Sequence, residues 1–281
     1  MISESELEKL NEELHKDGIE PRKRPWEAIS RISKRLGRTI VLPSKEADFI
    51  FKWFEKNSKP GAHNVGMLHR GAYYYDSTFW SVSIPIIFGT VQLDALYSLH
   101  EMPKTIKNCL MQDEKESWNY VFFWADCLDI GFGHNYLTNN VKYNSFGRQL
   151  FSAGYEELSS ATTLLLEQRP NKRAIMNCRM ATEMLLKSFI ALKGALTEAH
   201  AKKLSHNLEK IFDLFYDISE NAKLSKIKKF LNIFPEINER YKTQSIDDIS
   251  LFKCYCFAQT IGAFIVREFT DQNTLNKINK K

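Results

Sequence analysis

The sequence predicts a mainly α protein: a C-terminal antiparallel helical bundle preceded by an N-terminal domain that is mostly helical or α+β. Two observations carry this. Between residues 148 and 271, apolar residues recur at helical spacing in four long segments separated by short polar links. The 281-residue chain is 43% hydrophobic and 26% charged, enough apolar material for a substantial core. The chain also changes character along its length. All five tryptophans lie at or before Trp124. Residues 147–281 hold 21 Lys and Arg against 15 Asp and Glu, a net of +6, whereas residues 1–146 are close to neutral. The polar stretch 138–145, TNNVKYNS, is the expected boundary, giving domains 1–146 and 147–281.

The N-terminal domain opens with a helix over residues 4–15. Ser3 and Glu6 have capping-box spacing, and Leu7, Leu10 and Leu14 share one face. A second helix begins at Pro25 and stops at Gly37. Residues 39–42 suggest a short strand. Ser44 then caps a helix over 45–56 that carries Phe49, Ile50, Phe51, Trp53 and Phe54 and is apolar on most sides. Residues 59–71 read as a loop punctuated by Pro60, Gly61, Gly66 and Gly71. The aromatic and β-branched stretch 73–88 fits a strand or a buried helix equally. Helices are expected near 92–100, 104–111 and 115–129.

In the bundle, a helix over 149–168 turns Phe151, Tyr155, Leu158, Thr162 and Leu165 inward and breaks at Pro170. The next, over 172–193, carries Ile175, Cys178, Leu185, Phe189 and Leu192 in register and ends at Gly194. Ser205 is the expected cap of a third, with Leu208, Ile211, Phe212, Phe215 and Ile218 as its stripe. A short basic helix over 224–231 follows. Ser245 opens the last long helix, whose expected buried stripe is Ile249, Phe252, Cys256, Thr260, Ala263 and Phe264.

Several function classes are set aside by composition. No uninterrupted apolar run reaches the roughly 18 residues of a membrane span, the nearest being 82–91 with Pro85 and Gly89 inside it. The opening MISESELEKL is acidic and polar, unlike a secretory leader, so a cytoplasmic location is expected. Five scattered cysteines form no disulfide framework. Cys254 and Cys256 stand about 200° apart on a helix, so they read as core thiols and not as a metal pair. No phosphate-loop or Gly-x-Ser-x-Gly motif appears, and no cofactor is expected.

The bundle resembles the HEPN family of helical nucleotide-binding domains. The resemblance covers residues 149–271. It rests on Ala181-x-Glu183-x-x-Leu186-Lys187, then Ser205-His206-Asn207-Leu208 opening the third helix, Arg240-Tyr241 shortly before the last helix, and that long helix itself. The resemblance implies dimerisation. In many relatives it also implies metal-independent RNase activity through an Arg-x4–6-His motif, in which a cation holds the phosphate and an imidazole moves a proton. No histidine follows His206 here, so neither Arg240 nor Arg267 has that partner.

The candidate site residues follow. Arg179, Glu183 and Lys187 at i, i+4, i+8 share a helix face, either as a polar groove for phosphate or as a surface ion-pair ladder. His206 in a first helical turn would bind an anion or fasten a loop. Arg240 and Tyr241 would reach the same groove or clamp a turn. In the N-terminal half, Gly61-Ala62-His63-Asn64-Val65-Gly66-Met67-Leu68-His69-Arg70, with Asp76 and His134 as further candidates, offers a second loop site that matches no closed zinc spacing. The expected function is a non-catalytic HEPN-like protein binding a nucleotide or RNA through its basic half, as relatives in defence or stress systems do. The alternatives are a dimeric scaffold for a protein partner, or an RNase or hydrolase with an atypical site. Self-association is further expected from Phe257 and Ile261, which fall off the inward stripe of the last helix.

Overall fold

A computed structural model of the chain describes residues 2–41, 44–59, 67–86 and 94–278. Helix accounts for 70% and strand for 5%, so the mainly α class holds. The chain divides into two units, Met1–Gly66 and Met67–Lys281.

The first unit is built from three helices whose ends the sequence marks. α1 (Glu4–Lys16) starts at a closed capping box: the Ser3 hydroxyl accepts from the Glu6 amide, and the Glu6 carboxylate accepts from the Ser3 amide at 2.8 Å. α2 (Arg24–Leu36) ends at Gly37, whose φ of 62° is the left-handed value a helix C-terminus favours. α3 (Lys45–Lys56) is capped by the Ser44 hydroxyl. Leu7, Leu10 and Leu14 meet Ala28, Ile29, Ile50 and Phe54 in one apolar core. No strand forms over 39–41, and Leu42 lies outside the described residues.

In the second unit the ambiguous aromatic stretch is a hairpin as far as Ile84, and its last two residues, 87 and 88, lie outside the described residues. β1 (His69–Tyr75) pairs antiparallel with β2 (Thr78–Ile84), His69 opposite Ile84 and Tyr75 opposite Thr78. Its two-residue turn, Asp76-Ser77, has both residues at positive φ, the primed geometry that matches strand twist. The expected loop over 59–71 thus already contains the first strand at His69. Ala95–Leu99 is a 3-10 turn where an α-helix was expected. Then come α4 (Lys104–Gln112), α5 (Glu114–Asn139), α6 (Ser145–Leu165), α7 (Ala174–Leu192), α8 (Glu198–Leu204), α9 (Leu208–Ser219), α10 (Asp248–Phe269) and α11 (Thr274–Ile278). The expected basic helix is the 3-10 segment Ala222–Ile233.

α6 and α7 form an antiparallel hairpin with very close backbones. A Cβ on Gly147 would stand 2.9 Å from Leu192, and one on Gly154 2.9 Å from Leu185. α7 is the central helix, with α6, α9 and α10 packed around it. The division of the chain differs from the expected boundary between 146 and 147, which falls inside the second unit. The reason is α5, which extends to Asn139 and packs along α10. The buried Tyr255 hydroxyl on α10 lies 2.7 Å from Thr162 on α6 and accepts from the Ala72 amide of β1 at 3.3 Å. Hairpin, α5 and bundle share a single apolar core.

α10 also departs from expectation. Its buried face is Leu251, Cys254, Tyr255, Ala258, Ile261, Ile265 and Val266, with Phe257 buried too. The expected stripe is largely displaced: Ala263 is buried as expected, but Ile249 is 55% exposed, and Phe252, Cys256, Thr260 and Phe264 are half-buried. Phe257 and Ile261 therefore form no surface patch. By length and composition α10 would pass as a membrane span, a property the count of uninterrupted apolar runs overlooked, yet most of that window is buried against the rest of the unit.

Candidate functional site

α7 carries three charged residues on one face, and the structure buries all of them. Arg179 is 3% exposed, Glu183 4% and Lys187 8%, so this is an internal network and not a surface ladder. Buried charge persists only when paired and fully hydrogen-bonded, and the pairing here is complete in detail. Glu183 accepts from Lys187 Nζ at 2.8 Å, sits 3.4 Å from Arg179 Nη1, and holds His206 Nδ1 3.0 Å from both carboxylate oxygens. Arg179 also donates to the Pro235 carbonyl (2.8 Å) and the His206 carbonyl (2.8 Å), and Lys187 to the Ser205 carbonyl (2.6 Å).

Two buried cations thus grip successive carbonyls of the turn between α8 and α9. That turn is strained: Ser205, at φ 53° and ψ −137°, occupies a conformation that L residues rarely adopt. Ser205 is the end residue of α8 and not the expected cap of α9. Asn207 fills the cap, its side chain accepting from the Lys210 amide. The cap of the last long helix likewise lies two residues beyond Ser245, at Asp247, whose side chain accepts from the Ser250 amide.

The arrangement leaves the His206 ring pinned at Nδ1 and its side chain about half exposed. A cavity of about 500 Å³ opens there, lined by Arg179, His206, Asn207, Glu209, Asn232 and Glu236, with Leu208, Leu231, Phe234 and Ile237 as apolar walls. The network itself holds two cations and one carboxylate, and the Glu209 and Glu236 carboxylates add negative charge to the cavity lining. A cavity of about 540 Å³ lined by Lys242, Thr243, Gln244 and Asp247 shares Asn232, Phe234 and Pro235 with it.

Arg179, Glu183, Lys187 and His206 are therefore brought together. Arg240 and Tyr241 are not. They lie on the 3-10 turn Ile237–Tyr241, where the guanidinium sits 4.7 Å above the Tyr241 ring. Tyr241 is 81% exposed instead of half-buried, and neither residue lines either cavity. In the N-terminal half, His63 and Asn64 lie outside the described residues. His69 is buried on β1, and Arg70 donates to the Ser81 hydroxyl at 2.9 Å beside Glu101. His134, on α5, stacks on Tyr155 at 4.1 Å. Among the described residues no group of three or more His, Cys, Asp or Glu side chains is placed to hold a metal. Sequence reasoning placed Asn207 only within a motif, not as a site residue, and missed Glu209, Asn232 and Glu236, whose polar side chains carried no motif. No family model, no characterised protein and no solved structure matches the chain.

The burial changes what substitutions do. Arg179→Ala is expected to lower folding stability by about 2 kcal/mol, because the Pro235 and His206 carbonyls lose their donor inside the protein. Denaturant titration should show the loss. A midpoint equal to wild type would mean water replaces the guanidinium at no cost.

Proposed function

We propose that the chain is a non-catalytic, HEPN-like binding protein that holds a nucleotide, or one unit of a single-stranded RNA, at the pocket shared by Arg179 and His206. The observation that carries this reading is the His206 imidazole. Its Nδ1 is anchored on the buried Glu183 carboxylate, and the ring faces a cavity of about 500 Å³ at the amino end of α9. The volume suits a nucleotide-sized ligand. The Asn207 and Asn232 amides and the Glu209 and Glu236 carboxylates offer donors and acceptors to a base edge, and Leu208 and Phe234 offer apolar surface to its face. Arg179 and the helix terminus supply positive potential for a phosphate.

Much of the remaining basic surface is already paired. Lys172 bonds Asp248, Lys202 bonds Glu198 and Lys228 bonds Asp213. These residues contribute through the long-range field and do not contact the ligand.

The test is a fluorescence titration of labelled oligo(A), oligo(U), ATP and GTP at roughly 50 mM salt, where phosphate contacts are strong. Saturable binding is expected, with a log–log salt slope of about −0.7 per phosphate contact for a single strand. His206→Ala should weaken it about tenfold while leaving the fold intact, since the ring is half exposed. Lys226→Ala should produce a smaller loss that high salt erases. RNA incubated with the protein in chelator should remain uncleaved. Absence of a saturable signal for every ligand, with His206→Ala indistinguishable from wild type, overturns the reading.

A further inference from the structure

α10 is apolar over most of its circumference, and one side of it stays open. Phe252, Cys256 and Thr260, at i, i+4 and i+8, form a half-buried ridge continued by the exposed Ile249. A depression lies on each side of this ridge, and both share its three residues. One, of about 200 Å³, is walled by Ile227 and Phe230 of the 3-10 segment and by Phe257. The other, of about 260 Å³, is walled by Tyr73 and by Phe122 and Phe123 of α5. Trp118 and Phe122, stacked at 5.8 Å and each more than 40% exposed, extend the apolar wall along α5.

A ridge with a groove on either side is the surface against which a second helix packs, its own side chains entering both grooves. From Ile249 to Thr260 the ridge runs about 17 Å, or three helical turns. The two rims carry opposite charge. Lys253 lines the first depression, and Lys226 and Lys229 neighbour its wall residues Ile227 and Phe230 in the sequence, whereas Glu116 lines the second.

We propose that this groove, independent of the nucleotide pocket, docks an amphipathic helix of a partner protein. The bound helix has three turns, with apolar anchors at i, i+4 and i+7, an acidic flank towards the 3-10 segment and a basic flank towards α5. The rims favour this occupant over a lipid surface. A lipid surface attracts one sign of charge and is repelled by the other, so opposite rims disfavour it. A second copy of the chain would present the same ridge and grooves, and it is an outcome that the test below separates from a partner helix.

The probe is a fluorescein-labelled, stapled three-turn peptide with leucine anchors, glutamates on one flank and lysines on the other, titrated into the full chain. Saturable binding is expected. Phe122→Asp and Phe230→Asp should each weaken it by about tenfold or more, as loss of a central apolar anchor does. Charge reversal at Lys226 and Lys229 together should weaken it several-fold, and more so at low salt. Circular dichroism of each variant confirms that the fold persists, and Phe122→Asp, at an exposed position, serves if Phe230→Asp does not fold. Binding that survives Phe122→Asp unchanged, or no saturable signal at all, overturns the proposal. So does a light-scattering mass near twice 32.7 kDa that falls to the single-chain value in Phe122→Asp, which makes a second copy the occupant. Vesicle binding that these substitutions abolish, without peptide binding, also overturns it.

Discussion

Arg267→Ala is expected to cost about 3–5 kcal/mol of folding stability, the loss seen when a buried ion pair keeps its anions and loses its cation. Two aspartates depend on this one guanidinium. Arg267 Nε donates to Asp129 at 2.5 Å and Nη2 to Asp126 at 2.6 Å, and both carboxylates are buried on α5. Burial pushes the Asp126 carboxyl above its ordinary range, and Arg267 is the main influence drawing it back. The rest of the cluster is also satisfied. Thr260 donates to Asp126 at 2.9 Å, and the Thr274 amide and hydroxyl donate to Asp129. The cluster thus ties α5, α10 and the start of α11 together. Without the guanidinium, α5 must protonate two aspartates or bury them unpaired. Since most domains are stable by about 5–15 kcal/mol, the variant should sit near the edge of folding at neutral pH. Arg267→Lys keeps the charge but cannot reach both aspartates as a fork, so an intermediate loss is expected. Guanidinium denaturation measures all three proteins. A variant within about 1 kcal/mol of wild type would show that the aspartates are neutral or hydrated in the native state.

The same cluster shows why the division of the chain was not legible in the sequence. Asp126 and Asp129 pair with a residue some 140 positions away, and no local periodicity announces such a partner. The tryptophan-rich composition of the first half suggested a boundary, but composition says nothing about which core a helix joins. By contrast, helix ends fixed by local chemistry were readable: the Ser3–Glu6 box, the Ser44 cap and Gly37 each act within one turn. The hairpin was ambiguous because Asp76-Ser77 takes a turn conformation usually marked by Asn-Gly or another glycine pair. Most of the inner face of α10 was misread because the helix is apolar on most sides, and periodicity then has little contrast to report.

The candidate site was legible by half. Helical spacing placed Arg179, Glu183 and Lys187 on one face, and the four-residue step needs no tertiary knowledge. Their burial depends on the turn that Arg179 and Lys187 hold, and the carbonyls of Ser205, His206 and Pro235 are invisible as acceptors in a sequence. Charged residues were read as solvent-facing because most are. Arg240 and Tyr241 were grouped with them through family pattern, yet the 3-10 turn carrying them points elsewhere.

The protein is expected to lose about 3 kcal/mol of stability between pH 6.5 and pH 4, through His69 above all. His69 is 2% exposed on β1. Its Nδ1 lies 3.4 Å from the Tyr155 hydroxyl, and its Nε2 has no hydrogen-bond partner among the described residues. Burial drives its pKa from 6.5 to about 4, with Gln259 opposing the shift and His134 adding slightly to it. A histidine with a depressed native pKa binds fewer protons folded than unfolded across that window. Stability contributed by the neutral ring is therefore whole above pH 6.5 and is lost as pH falls towards 4. His134, half-buried against Tyr155, is depressed in the same direction by the same cause and steepens the loss. Most carboxylates titrate below this window, so the decline above pH 5 belongs mainly to the histidines. His69→Asn keeps a polar group near Tyr155 and removes the titration. Its urea midpoint is expected to change little from pH 7 to pH 5, whereas the wild-type midpoint falls steadily. Parallel wild-type and His69→Asn curves over that range would show that His69 is protonated in the folded protein, which its burial and missing partner argue against.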